Sequence, residues 1–232
     1  RANEFVSRGV AKISAAFPSV EGVPEAAMEK LRVVGNPIRA DIAAVGAQGF
    51  APVTDKMNIM VFGGSQGAAV FSRLMPAALN LLSAEHRAKI NLVTQIRDEN
   101  RAETEPKLAS LALGGLEIAP FFSDMPQRLS DAHLVISGSG ATTVHEIAAA
   151  GRPAIFVPLA VHKDDQQAKN ARLLTDDSSA FLVREGENAP AELAAHLARM
   201  LDNPAEMVEM ASRARSNALL GAAEKLADMV AQ

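Results

Sequence analysis

Short apolar runs alternate along this 232-residue chain with longer stretches of helical periodicity, a rhythm that predicts a parallel sheet wrapped by helices. Strands are expected over residues 58–62, 90–95, 116–119, 133–136, 154–157 and 180–183. Helices are expected between them, over 68–82, 99–113, 143–150 and 166–175, with two or three more across 189–202 and 204–230. Six strands joined in this way define the α/β class, as a Rossmann-like doubly wound parallel sheet. No internal repeat or low-complexity tract interrupts the pattern.

Upstream the pattern is less regular. Two short apolar runs, 11–17 and 31–34, flank a turn-rich segment from Pro18 to Pro24, and the first has no evident strand partner nearby. Asn36-Pro37 forces extended or turning backbone and reads as a linker. The small-residue segment 40–56, with Gly46, Gly49 and Pro52, reads as a connection over the surface. The chain opens at Arg1 rather than methionine, and its first residues look like the middle of a fold, so a fragment is expected.

Composition narrows the functional classes. With 48% hydrophobic and 22% charged residues the chain can bury a full core, which excludes a disordered tail. A net charge of −4 argues against nucleic acid as a partner, because phosphate contacts along a duplex need an excess of lysine and arginine. The absence of cysteine removes disulfides, cysteine-zinc sites and thiol catalysis. Nothing reads as a signal peptide or as the run of about 18 apolar residues that a spanning helix needs.

Candidate chemistry sits where strands hand over to helices, because helix-start N–H groups converge there on an anion. The first such loop, GGSQG at 63–67, pairs glycines for close backbone approach with a Ser65 hydroxyl for a phosphate oxygen. Neither the dinucleotide spacing G-x-G-x-x-G nor the Walker pattern is present, which weakens dehydrogenase and ATPase readings. The second loop, SGSGATT at 137–143, turns at Gly138 and Gly140 and opens a helix at Ala141, Thr142 and Thr143 whose N–H groups and dipole can hold a diphosphate. Glu146 lies one turn further in. It either complements the helix dipole, which position alone favours, or accepts the hydroxyls of a ribose. His145 diverges from Glu146 by about 100° around the helix and reads, with His86, His133 and His196, as surface or packing. In the third loop, HKDDQQ at 162–167, Asp164 or Asp165 suits an N-cap, while Gln166 and Gln167 offer amides to sugar hydroxyls or to solvent. The aspartate pair alone does not make a metal site.

Taken together, NPIR at 36–39, GGSQG, the apolar PFFSDM at 120–125, SGSGATTVHEIAAAGRPAIFVP and DDQQ occur in an order and spacing that resembles the MurG family of bacterial glycosyltransferases. The resemblance spans essentially all 232 residues and corresponds to roughly the second half of a family member, with 139–157 its most specific run. It implies a GT-B enzyme that moves N-acetylglucosamine from UDP-N-acetylglucosamine to an undecaprenyl-linked muramyl-pentapeptide. This chain would be the C-terminal nucleotide-sugar domain, over 37–232, and residues 1–36 a remnant of the N-terminal acceptor domain. The resemblance leaves room for the last helix to pack back on that domain.

By the same resemblance, Arg39 and Ser65 contact the diphosphate, Phe122 gives backbone contacts to uracil, and Ala141, Thr142 and Thr143 cradle the diphosphate. Val144 and His145 belong to the same binding stretch, Glu146 matches a ribose-binding carboxylate, and Gln166 and Gln167 match glutamines that read the sugar. No cofactor and no metal are implied. The catalytic base and a peripheral membrane contact belong to the N-terminal domain, at the cytoplasmic face of the inner membrane, so the fragment alone is expected to be inactive. Two positions depart from the family pattern: Gly138 stands where arginine is common, and Phe122 where an aliphatic residue is common. The alternatives are a non-catalytic UDP-sugar-binding module and another UDP-sugar enzyme of similar architecture, such as an epimerase or a lipid galactosyltransferase.

Overall fold

A computed structural model describes residues 2–63, 68–159 and 165–231. The elements run, in chain order, α1 (Ala2–Ser7), β1 (Ile13–Ala15), α2 (Glu25–Met28), β2 (Leu31–Val33), α3 (Ala40–Ala47), β3 (Met57–Phe62), α4 (Ala68–Asn80), α5 (Ala84–Ala88), β4 (Ile90–Gln95) and α6 (Asp98–Ala109). They continue as β5 (Gly115–Ala119), α7 (Met125–Asp131), β6 (Leu134–Ser137), α8 (Ala141–Ala150), β7 (Ala154–Phe156), α9 (Gln166–Thr175), β8 (Ala180–Leu182), α10 (Ala189–Asp202), α11 (Ala205–Ser216) and α12 (Ala222–Ala231).

β3 to β8 form one parallel sheet in the order β5-β4-β3-β6-β7-β8, so the winding runs outward from the β3/β6 pair in both directions. This is the doubly wound order expected for a Rossmann-like domain. The central strands are apolar without alternation because both faces are covered. In β3, Ile59 and Val61 point to a core shared with Phe71, Leu79, Leu193 and Met210, while Met60 and Phe62 point to an opposite core with Ile42, Leu129, Val144 and Leu174. The period of two along one strand thereby feeds two helical layers.

The structure corrects two expectations upstream of β3. The run 11–17 does have a partner: β1 pairs in parallel with β2, Ile13 opposite Leu31, in a separate two-stranded sheet. Parallel neighbours need a crossover, and the four-residue α2, too short to show a period, supplies it. Nor is 40–56 a surface connection throughout. Its first half is α3, whose Ile42 and Val45 are buried. The helices α5 and α7 were also not anticipated, and the stretch from 204 onward is divided into α11 and α12 at Gly221, which has φ +71°.

α3 crosses α8 at close range. A Cβ built on Gly46 would fall well inside van der Waals contact with the Ala149 carbonyl oxygen, which also accepts from Arg215 Nη1. Arg152 closes the other side of this layer. Only 1% exposed, it donates to the carbonyls of Leu129 (2.6 Å), Ser130 (3.2 Å) and Gly49 (3.1 Å), so one guanidinium serves the last turn of α7 and the loop after α3. At the opposite end of β3, the Asn58 N–H donates to His133 Nδ1 at 2.9 Å, which requires that nitrogen to be unprotonated.

Two outcomes are expected. Gly46→Ala should lower unfolding free energy by about 1–3 kcal/mol because the added methyl meets backbone, whereas Gly186→Ala, where a Cβ meets nothing within 4 Å, should stay within about 0.5 kcal/mol of wild type in denaturant titrations. Burial, and secondarily the charge of Arg152, holds His133 below its ordinary 6.5. The folded chain therefore binds fewer protons than the unfolded chain as pH falls below that value, and stability declines there. Thermal midpoints should drop on acidification from pH 7 to 5, and His133→Gln, which keeps an acceptor for Asn58 without taking up a proton, should flatten that decline.

Candidate functional site

In a doubly wound sheet a ligand crevice opens beyond the carboxyl ends of the strands where the winding reverses. Here that place is fixed by the pairing of Phe62 with Ser137 at the ends of β3 and β6. Gly63 and Gly138 leave the sheet side by side, bringing the two glycine loops foreseen from the sequence to one edge. Ser65 and the rest of 64–67 lie outside the described residues, as do His162 to Asp164 of the third loop.

The helix foreseen from 143 begins two residues earlier, and it begins without a side-chain cap. Gly140 occupies the N-cap position in extended backbone (φ −59°, ψ 149°), and Val144 N–H makes the first helical bond, to Gly140 O at 3.0 Å. The N–H groups of Ala141, Thr142 and Thr143 precede that bond and carry the positive end of the dipole. Ala141 and Thr143 are half-buried, and Thr142 is exposed, its Oγ1 accepting from Asn36 Nδ2 at 2.9 Å. The side chains of Val144 and His145 are closed to any ligand. Val144 belongs to the core, and the His145 ring contacts the carbonyl oxygens of Ala141 (2.8 Å) and Ala16 (2.7 Å) and packs on Phe17. Contact from these two positions is confined to backbone.

Glu146 is half-buried, and burial pushes its carboxyl above the ordinary range, with Arg39 opposing that rise and Asp41 adding to it. The structure therefore places Arg39, at the N-cap position of α3, in the field of Glu146, although the two are far apart in sequence. Arg39 is half-exposed, with its Nε 3.5 Å from Asp41 Oδ1. Phe122 is 4% exposed, with the Arg128 guanidinium over its ring, while Phe121 beside it is 72% exposed. At 122 the side chain is therefore closed to a ligand.

α9 completes the edge. Gln166 is exposed and Gln167 half-buried, with Gln167 Oε1 accepting from the N–H groups of Ser139 and Leu159, each at 3.1 Å. The N-cap expectation at this helix holds in position but not in bonding. Asp165 does occupy the N-cap position, but with left-handed backbone (φ 50°, ψ 32°) and no capping bond, because its carboxylate is held by Arg184 at 2.8 and 3.1 Å. A concavity of about 630 Å³ lies between residues 6–31 and the α9 side chains Gln166, Lys169, Asn170 and Arg172. Sequence reasoning missed Asp41, and also Asn36 and Asn170, whose partners Thr142 and Ser139 are distant in sequence and leave no local pattern.

A doubly wound parallel sheet with glycine turns and an uncapped helix start at its switch point is the architecture of a nucleotide-binding α/β domain. The chain belongs to a particular family of this class: the profile of the glycosyltransferase family 28 C-terminal domain matches residues 58–229. Among curated relatives, the UDP-N-acetylglucosamine--N-acetylmuramyl-(pentapeptide) pyrophosphoryl-undecaprenol N-acetylglucosamine transferase of Methylorubrum populi is 41% identical over 235 residues, covering 100% of this chain. The protein of the same name from Phenylobacterium zucineum is 40% identical over 234 residues. The chain spans 63% and 64% of the lengths of these relatives. Among solved structures, MurG of Acinetobacter baumannii superposes with a TM-score of 0.80 at 29% identity, covering 99% of this chain and 63% of the other.

Proposed function

We propose that this chain is the donor-binding part of an inverting N-acetylglucosaminyltransferase that uses UDP-N-acetylglucosamine and a lipid-linked muramyl-pentapeptide acceptor. The observation that carries the reading is the uncapped start of α8 at the switch point, with Arg39 and the half-buried Glu146 within one electrostatic neighbourhood. The names of the 40–41% identical relatives supply the substrate class.

In this reading the N–H groups of Ala141, Thr142 and Thr143 hold the diphosphate, with Arg39 and Ser65 adding charge and a hydroxyl. Glu146 accepts from the ribose hydroxyls, backbone at Phe122 meets the uracil, and the amides of Gln166 and Gln167 face the sugar. As the acceptor hydroxyl attacks the anomeric carbon, charge grows on the departing UDP. Donors already oriented toward that charge lower the barrier without reorganising. The base that takes the acceptor's proton would lie in a second domain, N-terminal to residues 37–232, of which residues 1–36 are the last portion. That domain would also supply the acceptor groove and a peripheral contact with the cytoplasmic face of the inner membrane. Among the described residues no helix is long and apolar enough to cross a membrane.

Calorimetric titration in chelator tests this directly. UDP and UDP-N-acetylglucosamine should bind, and UDP-galactose should bind more weakly; equal affinity for the two sugars would contradict the assignment. Glu146→Ala should weaken UDP-N-acetylglucosamine binding by about 1.5–3 kcal/mol through loss of charged hydrogen bonds. The pH dependence follows from the raised pKa of Glu146. Ribose hydroxyls donate to the ionised carboxylate, so affinity should fall as pH is lowered through a range above the ordinary 4.5. The nucleotide sugar suits this test because its diester phosphates stay ionised, and Glu146→Ala should be flat over the same range. The isolated chain should bind donor yet transfer no sugar to a lipid-linked acceptor, and turnover by the purified chain would refute the division of roles.

A further inference from the structure

We infer that Asn170 is a positioning residue which, together with Gln167, sets the aim of the phosphate-binding turn; the inference rests on the donor-site reading above. The turn from Gly138 to Gly140 has two glycines and no capping side chain, and its only local side-chain bond among the described residues is from Ser137 Oγ to Gly138 O at 3.0 Å. It is held from behind by α9. Ser139 N–H donates to Gln167 Oε1 at 3.1 Å, and Ser139 C=O accepts from Asn170 Nδ2 at 3.1 Å. Both backbone polar groups of this one residue are thereby fixed by two side-chain amides three residues apart, on one face of the helix. Ser139 is fully buried, so water cannot replace either bond at low cost. Its own hydroxyl has no hydrogen-bond partner among the described residues, which leaves the backbone clamp as the anchor of the turn.

The rest of α9 makes the clamp rigid. Ala168, Ala171 and Leu174 are buried against the sheet, so the helix cannot slide to follow a drifting loop. Gln167 Oε1 also accepts from Leu159 N–H, tying the segment after β7 to the same point. A Cβ at Gly138 would come within 3.3 Å of that oxygen, so glycine there lets the amide close on the turn. Two consequences follow. The carbonyl of Gln167 is already occupied, so only its NH2 group is free to meet a sugar oxygen. Asn170 acts through Ser139 on the direction of the Ala141, Thr142 and Thr143 N–H groups.

The test uses Asn170→Ala and Asn170→Leu, both neutral, so that any change in affinity is not charge repulsion against the diphosphate. Lys169→Ala, on the same helix and paired with Glu21, serves as the control. UDP affinity is measured by calorimetry, and the amide resonances of Ser139, Gly140 and Ala141 are followed by NMR without ligand. The expected result is an affinity loss of about tenfold in the Asn170 variants, with those three resonances displaced, and neither change in Lys169→Ala. Unmoved resonances in an Asn170 variant overturn the clamp whatever the affinity does, and displaced resonances with unchanged UDP affinity overturn its role in binding. If UDP fails to bind the wild-type chain, the donor-site reading falls, while the resonances still decide whether Asn170 holds the turn. Should one variant not fold, the other carries the same comparison.

Discussion

Two parallel strands at the centre of a doubly wound sheet send their chains out of the same edge, and where the winding reverses their following helices diverge and leave a crevice. In this chain that geometry is set by four residue pairs between β3 and β6, ending at Phe62 and Ser137. Because both strands are buried on both faces, the register is locked by apolar residues pointing into two separate cores. A slip of one residue would move Ile59 and Val61 to the face of Met60 and Phe62 and separate the two glycine turns. The proximity of Gly63 and Gly138 is thus a consequence of core packing.

The electrostatics of the crevice follow from what surrounds α8. An uncapped helix start is costly to leave dry, so its N–H groups must meet water or an anion. Glu146, one turn further along, is half-buried and held above its ordinary pKa, a cost that Arg39 partly offsets. A ligand carrying both a diphosphate and a vicinal diol would satisfy the two at once, since the phosphates meet the N–H groups and the hydroxyls meet the carboxylate. Either half of such a ligand would leave one of these groups unpaired. On the proposed reading, a nucleoside diphosphate would therefore suit the arrangement better than inorganic phosphate or a free nucleoside.

Much of this was legible in the sequence because it is written in local patterns. The six strands are apolar runs bounded by turn residues, and the glycine turns announce themselves between a strand and a helix. What was not legible depends on short elements or distant partners. The four-residue α2 carries no period, yet it is what allows β1 and β2 to pair. α3 is rich in small residues and reads as a loop until Gly46 is seen against Ala149, where smallness permits the crossing. Asp165 reads as a cap because aspartate favours that role, but Arg184, 19 residues away, draws its carboxylate elsewhere. At the site, Glu146 and the glutamines were ambiguous by position alone, and the family resemblance separated the readings where local physics could not.

α8 joins the two levels. Val144, Ile147, Ala148, Ala149 and Ala150 are buried, so most of the helix is core, and only its first turn and Glu146 remain for chemistry. Its far end is fixed as firmly. Gly151 takes the left-handed conformation (φ 64°), Arg152 N–H bonds back to Ile147 O at 3.2 Å, and the Arg152 guanidinium reaches across to α7. A helix pinned along its length transmits little motion to its N-terminus, which is what an anion site built from backbone donors requires, since a donor that must reorient gives up part of the stabilisation it offers. Just before the helix comes the glycine turn, and it is there, at Ser139, that α9 applies its two amides. Rigidity in the helix and restraint on the turn are therefore parts of one solution: the core fixes where the N–H groups are, and the neighbouring helix fixes where the chain leading into them can go.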